Sequence, residues 1–286
     1  MGMTCGADAR RPVADEAFTT LAREVADRWQ RSPERRPWLE GFVPLKNLTM
    51  PPKSRTTPRW ASRSELNSVW KLETDLPDET PAPAELHWAD GSTLNVPLVT
   101  AKAAYAGLTR PRSFVDEECP AKGCRPLRVT AVSRGTAAFP TSRGDVRVPT
   151  WDFTVHGVPG RFRRVAVDPA AMGGPPRPVA DSVQEIRTYD QKGPAELRLR
   201  YLHGTCDTTY GARAHETAEA VVVDVDVRWD EGVTFCNLMG KTDHISVTLR
   251  EPLGRRVVLD SSSGVPLLPD SAVELSDFRG YDPRQS

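Results

Sequence analysis

Imidazole and carboxylate side chains gather in a short stretch of the chain, and the set consists of His203, Asp207, His215 and Glu216, on both sides of Cys206. An imidazole within hydrogen-bond reach of a carboxylate is the arrangement used in general acid–base hydrolysis. If the flanking segments pair as strands, these side chains could converge at one edge. The stretch therefore predicts a secreted hydrolase as one alternative, and ordinary polar residues of turns and strand ends as the other.

The same region offers thiol and imidazole groups, which are ligands that zinc prefers. The candidate ligands are His203, Cys206, Cys236 and His244. Residues 203–206 form one His-x-x-Cys pair, but no second closely spaced pair follows, as a zinc finger requires. A zinc-binding module is a further alternative, and the sequence otherwise predicts no cofactor.

Four of the five cysteines lie within the predicted folded region, and they are Cys119, Cys124, Cys206 and Cys236. Four cysteines allow three pairings, and closeness in the sequence favours Cys119–Cys124 and Cys206–Cys236. In the chain-entropy model the longer loop contributes roughly 3.5–4 kcal/mol and the shorter loop about 2 kcal/mol. Disulfides predict an oxidising compartment, whereas buried free thiols and a zinc site are the alternatives.

Other catalytic motifs are incomplete. Gly240-Lys241-Thr242 ends like a phosphate-binding loop, but Phe235 occupies the position of the first glycine. The chain contains no Gly-x-Ser-x-Gly, His-Glu-x-x-His or Gly-x-Gly-x-x-Gly segment. The incomplete and absent catalytic motifs favour a non-catalytic protein.

Tryptophans are a further candidate for binding. They are Trp29, Trp38, Trp60, Trp70, Trp88, Trp151 and Trp229. Exposed tryptophans can form a platform for a glycan or a protein partner, because each ring offers a large contact area. Several of these rings lie within apolar patterns, which favours the alternative that they anchor the core.

Length and charge exclude several functional classes. The 286 residues are enough for one large or two ordinary domains. The 38 Lys and Arg residues balance 38 Asp and Glu residues, which excludes the basic character of a protein that wraps nucleic acid. No run approaches the ~18–20 apolar residues that are needed to cross a membrane.

The elements that must position these residues are mostly strands, so the predicted fold class is mainly β (α+β), with antiparallel sheets in two parts. The clearest strand is Ala220–Trp229, where alternate valines share one face. A hairpin is predicted over residues 85–96. Between Val148 and Trp151 the apolar spacing lengthens to three residues, which predicts a bulge or an edge position at Pro149.

Residues 168–178 are rich in proline and glycine and have the composition of a linker. An amphipathic N-terminal helix is predicted over residues 13–31 and a short second helix over residues 99–108. The predicted organisation is a flexible tether over residues 1–12, a helix and β domain over 13–167, this linker, a β domain over 179–268 and a loose tail over 269–286.

Several short stretches form a recognisable set, namely Trp38–Leu45, Trp88–Ser92, Leu127–Thr130, Thr141–Gly144, Val148–Val155, Gly204–Cys206 and Leu249–Asp260. The set spans most of residues 38–268 and resembles an uncharacterised group of actinobacterial secreted proteins and lipoproteins. That group has no established activity. The resemblance therefore implies a cell-surface compartment, a similar architecture and pairing of Cys206 with Cys236, but no chemistry.

Members of that group usually begin with a signal peptide and a lipobox, and Cys5 is the corresponding candidate lipid anchor. Gly2-Met3-Thr4 departs from a lipobox, which has a branched or leucine residue three positions before the cysteine and a small residue directly before it. A leader upstream of Met1, a shortened form and a cytoplasmic location are the alternative explanations. The preferred hypothesis is a non-catalytic cell-envelope or secreted module that binds an unknown cell-surface or wall component.

Overall fold

The computed structural model describes residues 15–52, 55, 57–111, 118–179, 186–229, 232, 236, 239–270 and 284. Within this part of the chain the fold is mainly β, as predicted, but it contains four α-helices where two were expected. The helices are α1 (Asp15–Arg31), α2 (Arg35–Glu40), α3 (Arg59–Leu66) and α4 (Ala101–Leu108). The strands are β1 (Thr49–Met50), β2 (Trp70–Leu72), β3 (Ala84–His87), β4 (Thr93–Val96), β5 (Leu127–Thr141), β6 (Gly144–Val155), β7 (Arg161–Val165), β8 (Ile186–Gly193), β9 (Glu196–Gly204), β10 (Asp207–Glu216), β11 (Ala220–Trp229), β12 (Gly240–Thr248), β13 (Val257–Asp260) and β14 (Leu268–Pro269). The predicted tether lies outside the described residues, as does all of the predicted tail except residues 269, 270 and 284.

The chain forms two compact units. Among the described residues, those of 15–35 and 176–270 form the first unit, and those of 36–175 together with residue 284 form the second. The predicted domain over residues 13–167 is therefore wrong for α1, which belongs with the C-terminal strands. An amphipathic helix gains most of its stability by packing its apolar face, and β10 and β11 supply the surface for α1.

Two sheets pack face to face in the first unit. One has the strand order β12-β9-β8-β14 and the other has the order β10-β11-β13. Alternate residues of a strand point to the same face, so Val221, Val223 and Val225 of β11 all enter the core between the sheets. Leu197 and Leu199 of β9 enter the same core from the other sheet. The predicted alternation of residues 220–229 is thus confirmed.

Helix α1 covers the other face of the β10–β11 sheet. Val222 and Arg213 point to that face, in the opposite phase to the core valines. Val222 is fully buried, and the guanidinium carbon of Arg213 lies 5.0 Å from the centre of the Phe18 ring. Gln30 Nε2 donates a hydrogen bond of 2.8 Å to Glu219 Oε2, which ties the end of α1 to the residue before β11.

A five-stranded sheet with the order β1-β7-β6-β5-β2 organises the second unit, beside the separate hairpin of β3 and β4. Strands β5, β6 and β7 pair with one another in antiparallel fashion, whereas β2 runs parallel to β5. One core contains Leu86 of the hairpin, and another contains Ala61 of α3 and Ala104 of α4. The predicted hairpin and second helix are confirmed, and α2 and α3 are additions to the predicted fold.

Strand β6 changes the face on which it is buried. Val148 belongs to the core that holds the hairpin, whereas Trp151 points to the opposite face and belongs to the core that holds α4. Pairing with β5 stays regular through Pro149, and the irregularity lies near Ala131 instead. The predicted bulge at Pro149 is wrong, because the pairing with β5 is regular there and only the buried face changes. On its other side Pro149 lies one residue outside the stretch of β6 that pairs with β7, which begins at Thr150.

Asp152 is a buried charge of β6, with 3% of its surface exposed. Its carboxylate accepts hydrogen bonds from Thr150 Oγ1 at 2.6 Å and from Arg163 Nε at 3.4 Å. The neighbouring strand leaves space for this group, because a Cβ atom on Gly135 would lie 2.7 Å from the carboxylate. Position 135 therefore needs glycine for close approach.

We expect Gly135→Ala to lower the free energy of unfolding by about 1–3 kcal/mol, since overpacking must displace the short, hydrogen-bonded Asp152 side chain. Gly193→Ala is the matched control, because its added methyl would meet only the Cβ atom of Glu196 at 3.9 Å. Urea unfolding of both variants is the measurement. Equal midpoints for the two variants would contradict the predicted clash.

Candidate functional site

The structure pairs Cys119 with Cys124 and Cys206 with Cys236, as the sequence predicted. The Cα atoms of the two pairs lie 5.2 and 6.0 Å apart, within the usual range for disulfides. Cys206 occupies the turn between β9 and β10. Its disulfide therefore ties that turn to the segment that precedes β12.

This pairing makes the zinc hypothesis wrong. Cys206 and Cys236 are bonded to each other, so neither offers the thiolate that a zinc site needs. His203 and His244 lie on the paired strands β9 and β12 but at positions three residues apart in the register. Across the described ranges, no group of three or more His, Cys, Asp or Glu side chains could hold a metal ion.

The structure also separates the predicted acid–base set. His203 lies at the end of β9 and Asp207 begins β10, and across the turn between them Asp207 accepts a hydrogen bond from the amide of Gly204 at 2.5 Å. His215 and Glu216 lie at the other end of the same strand. A strand rises about 3.3 Å per residue, so nine residues put the two pairs roughly 30 Å apart. The four side chains therefore do not form one catalytic group.

Glu216 forms a buried ion pair with Arg256, whose Nη1 atom lies 2.8 Å from the carboxylate; the two side chains are 7% and 8% exposed. The amides of Arg250 and Glu251 donate to the same carboxylate at 2.7 and 3.3 Å. Burial alone would raise the pKa of Glu216, but these bonds together hold that pKa below its ordinary value. Burial also lowers the pKa of the adjacent His215. Glu216 therefore joins β10 to the 250–256 turn and is not a free base.

The candidate binding surface is marked by Trp229. All seven tryptophans belong to the described part of the chain, and only Trp229 is exposed, with 55% of its surface accessible. Trp29, Trp38, Trp88 and Trp151 are buried, and the other two are half-buried. The prediction that tryptophans anchor the core thus holds for most of them and leaves one candidate for a platform.

Three more exposed side chains lie at the same end of the β10–β11 sheet as Trp229, and Arg228 and Trp229 point to opposite faces of β11. We call the four residues Tyr210, Arg228, Trp229 and Met239 the aromatic rim. Tyr210 is 55% exposed and Met239 is 60% exposed. Trp229 pairs with the first residue of β10, and the carbonyl of Met239 accepts a hydrogen bond of 3.2 Å from the amide of Thr205. Trp229 and Met239 of the rim therefore lie next to the turn that holds the Cys206–Cys236 disulfide.

The arginine of the aromatic rim is held in place on two sides. Its guanidinium carbon lies 4.8 Å from the centre of the Tyr210 ring, within the range of a cation–π contact. Arg228 Nε and Nη2 also donate to Asp226 at 2.8 and 2.6 Å. The register of β10 shifts between Thr209 and Gly211, and this shift frees Tyr210 from the regular ladder. Tyr210, Arg228 and Met239 were not predicted, since only the register shift and the fold bring them to the same end of the β10–β11 sheet as Trp229.

No family model, curated protein or solved structure matches the chain. In the residues that the structure describes, no helix is both long enough and apolar enough to cross a membrane. Cys5, the predicted lipid anchor, lies outside the described residues. Lipid anchoring therefore stays a prediction.

We expect the two disulfides to differ in their contribution to stability, because they close loops of 30 and 5 residues. In the chain-entropy model, replacing Cys206 and Cys236 by alanine lowers the free energy of unfolding by roughly 3.5–4 kcal/mol. The same change at Cys119 and Cys124 lowers it by about 2 kcal/mol. Urea unfolding without reductant measures both losses, and equal losses would contradict the loop-length argument.

We expect Glu216→Gln to lower the free energy of unfolding at neutral pH by about 3 kcal/mol, because Arg256 loses its buried counter-charge. A lowered folded-state pKa contributes stability above the unfolded value of about 4.3, and this contribution is lost as the pH falls through the folded-state value. The difference in the free energy of unfolding between the wild type and the Glu216→Gln variant should therefore shrink below about pH 4.3. Glu196→Gln, at an exposed position, is the control, and urea unfolding over a range of pH is the measurement. A loss of unfolding free energy in Glu216→Gln that stays constant with pH would contradict the ion pair of Glu216 with Arg256.

Proposed function

We propose that this protein is a non-catalytic binding module that works outside the cytoplasm. Its two disulfides support this location, because disulfides persist in oxidising compartments. The wide separation of His203 and His215 supports a role without acid–base chemistry. A place in the actinobacterial group of secreted proteins and lipoproteins, and a lipid tether at Cys5, are part of the same proposal.

The aromatic rim is the observation that carries the binding function. Trp, Tyr, Arg and Met are the residue types that are enriched at protein interfaces, and Trp, Tyr and Arg dominate their binding energy. The Cys206–Cys236 disulfide and the Arg228–Asp226 fork hold this surface before a partner arrives. Preorganisation lowers the entropy cost of association. We therefore assign the rim to a protein partner at the cell surface, with a wall glycan as the alternative ligand.

The test is site-specific photo-cross-linking in the cells that produce the protein. A benzophenone amino acid replaces Trp229 in one variant and Tyr210 in a second. The matched control carries the same group at Leu72, which is 36% exposed and lies in the other compact unit. We expect both rim positions to give the same discrete protein adduct, and the control to give none.

The purified adduct partner then allows a direct affinity measurement. We expect Trp229→Ala to weaken binding by about 30-fold or more, as for a central interface residue, and Leu72→Ala to leave the Kd unchanged. An unchanged Kd for the Trp229 variant would overturn the proposal. Rim-dependent binding to protein-free cell-wall polysaccharide, with no protein adduct, would replace the protein partner by the glycan.

A further inference from the structure

A cavity of about 310 Å³ opens beside the C-terminal end of α1. All of its lining residues belong to the first compact unit. Trp29 and Val179 contribute apolar surface to its wall, and Ser32 contributes a hydroxyl group. The volume is at the lower end of the range for pockets that bind small molecules. The cavity is therefore large enough for a compact ligand of citrate or sugar-phosphate size.

Three arginines, Arg28, Arg31 and Arg177, line this cavity. All three are exposed, and none forms a hydrogen bond or ion pair with another described residue. Arg28 Nη1 lies 3.4 Å from the position that a Cβ atom on Gly264 would occupy, so this glycine leaves room for the guanidinium group. The turn that carries Gly264 is fixed by a hydrogen bond of 2.9 Å from its amide to the carbonyl of Asp260.

Negative charges around the cavity are fewer than the three positive charges of the arginines. Glu34 is the single carboxylate among the lining residues, and its side chain accepts a hydrogen bond from Ser32 Oγ. The C-terminal end of α1 adds about half a negative charge. Three guanidinium groups therefore leave an excess of between one and two positive charges, roughly that needed by a phosphate or a polycarboxylate.

We propose that this cavity binds a small organic oxyanion. Guanidinium groups present a planar fork of donors that matches carboxylate and phosphate oxygens. Arg28, Arg31 and Arg177 hold the anionic groups, and the carbon skeleton of the ligand lies against Val179. This site is independent of the aromatic rim and of the partner that the rim binds.

Isothermal titration calorimetry on the full chain, with citrate and inorganic phosphate as probes, tests the proposal. Chloride at matched ionic strength is the reference. We expect saturable binding of citrate, at least tenfold weaker in Arg28→Gln/Arg177→Gln, and several-fold weaker when NaCl rises from about 50 to about 200 mM, since salt screens exposed charges. Arg31→Gln alone provides a second variant in case the double variant does not fold, as judged by circular dichroism.

Arg23→Gln is the matched control, because Arg23 is an exposed arginine of the same helix that does not line the cavity. Binding of citrate no tighter than that of chloride, or equal weakening by Arg23→Gln, would overturn the proposal. Binding to phosphatidylglycerol vesicles with no binding of citrate or phosphate would overturn it in favour of a lipid headgroup. Trp229→Ala should leave citrate binding unchanged, which separates this test from that of the rim.

Discussion

Burial of β11 on both faces is the constraint on which the rest of the first unit depends. Val221, Val223 and Val225 fill the core between the two sheets, and Val222 is buried on the face that α1 covers. Full burial of a valine is worth about 1.5–3 kcal/mol relative to exposure. The helix is needed because Val222 would otherwise face water. Packing of α1 on this strand, in turn, places the end of the helix beside the turn that contains Gly264.

The two candidate sites, the aromatic rim and the arginine-lined cavity, lie at opposite ends of β11. Beyond the last core valine, β11 continues into Arg228 and Trp229, which remain exposed. Near the start of the strand, the contact of Gln30 with Glu219 fixes the end of α1, and the arginine-lined cavity lies beside it. Ten residues of strand separate the sites by roughly 30 Å. One ligand of small-molecule size cannot reach both.

Much of the fold was predictable because its signals are local. The alternation over residues 220–229 and the hairpin over residues 85–96 appear in the structure as predicted. Helices α2 and α3 were missed because they are short and lie among prolines, where helical periodicity is weak. The spacing from Val148 to Trp151 was misinterpreted, because a change of buried face and a bulge shift the apolar pattern by the same single residue.

The sequence by itself determined the lack of complete catalytic motifs and much of the strand content, because these depend on neighbours along the chain. It favoured the cysteine pairing that the structure shows but left other pairings, free thiols and a zinc site open. Only the tertiary structure decided that His203 and His215 lie far apart, since an extended strand converts closeness in sequence into distance in space. It also decided that α1 packs with the C-terminal strands and that Trp229 is the exposed tryptophan. Burial is set by residues that are remote in sequence, so no local pattern contains it.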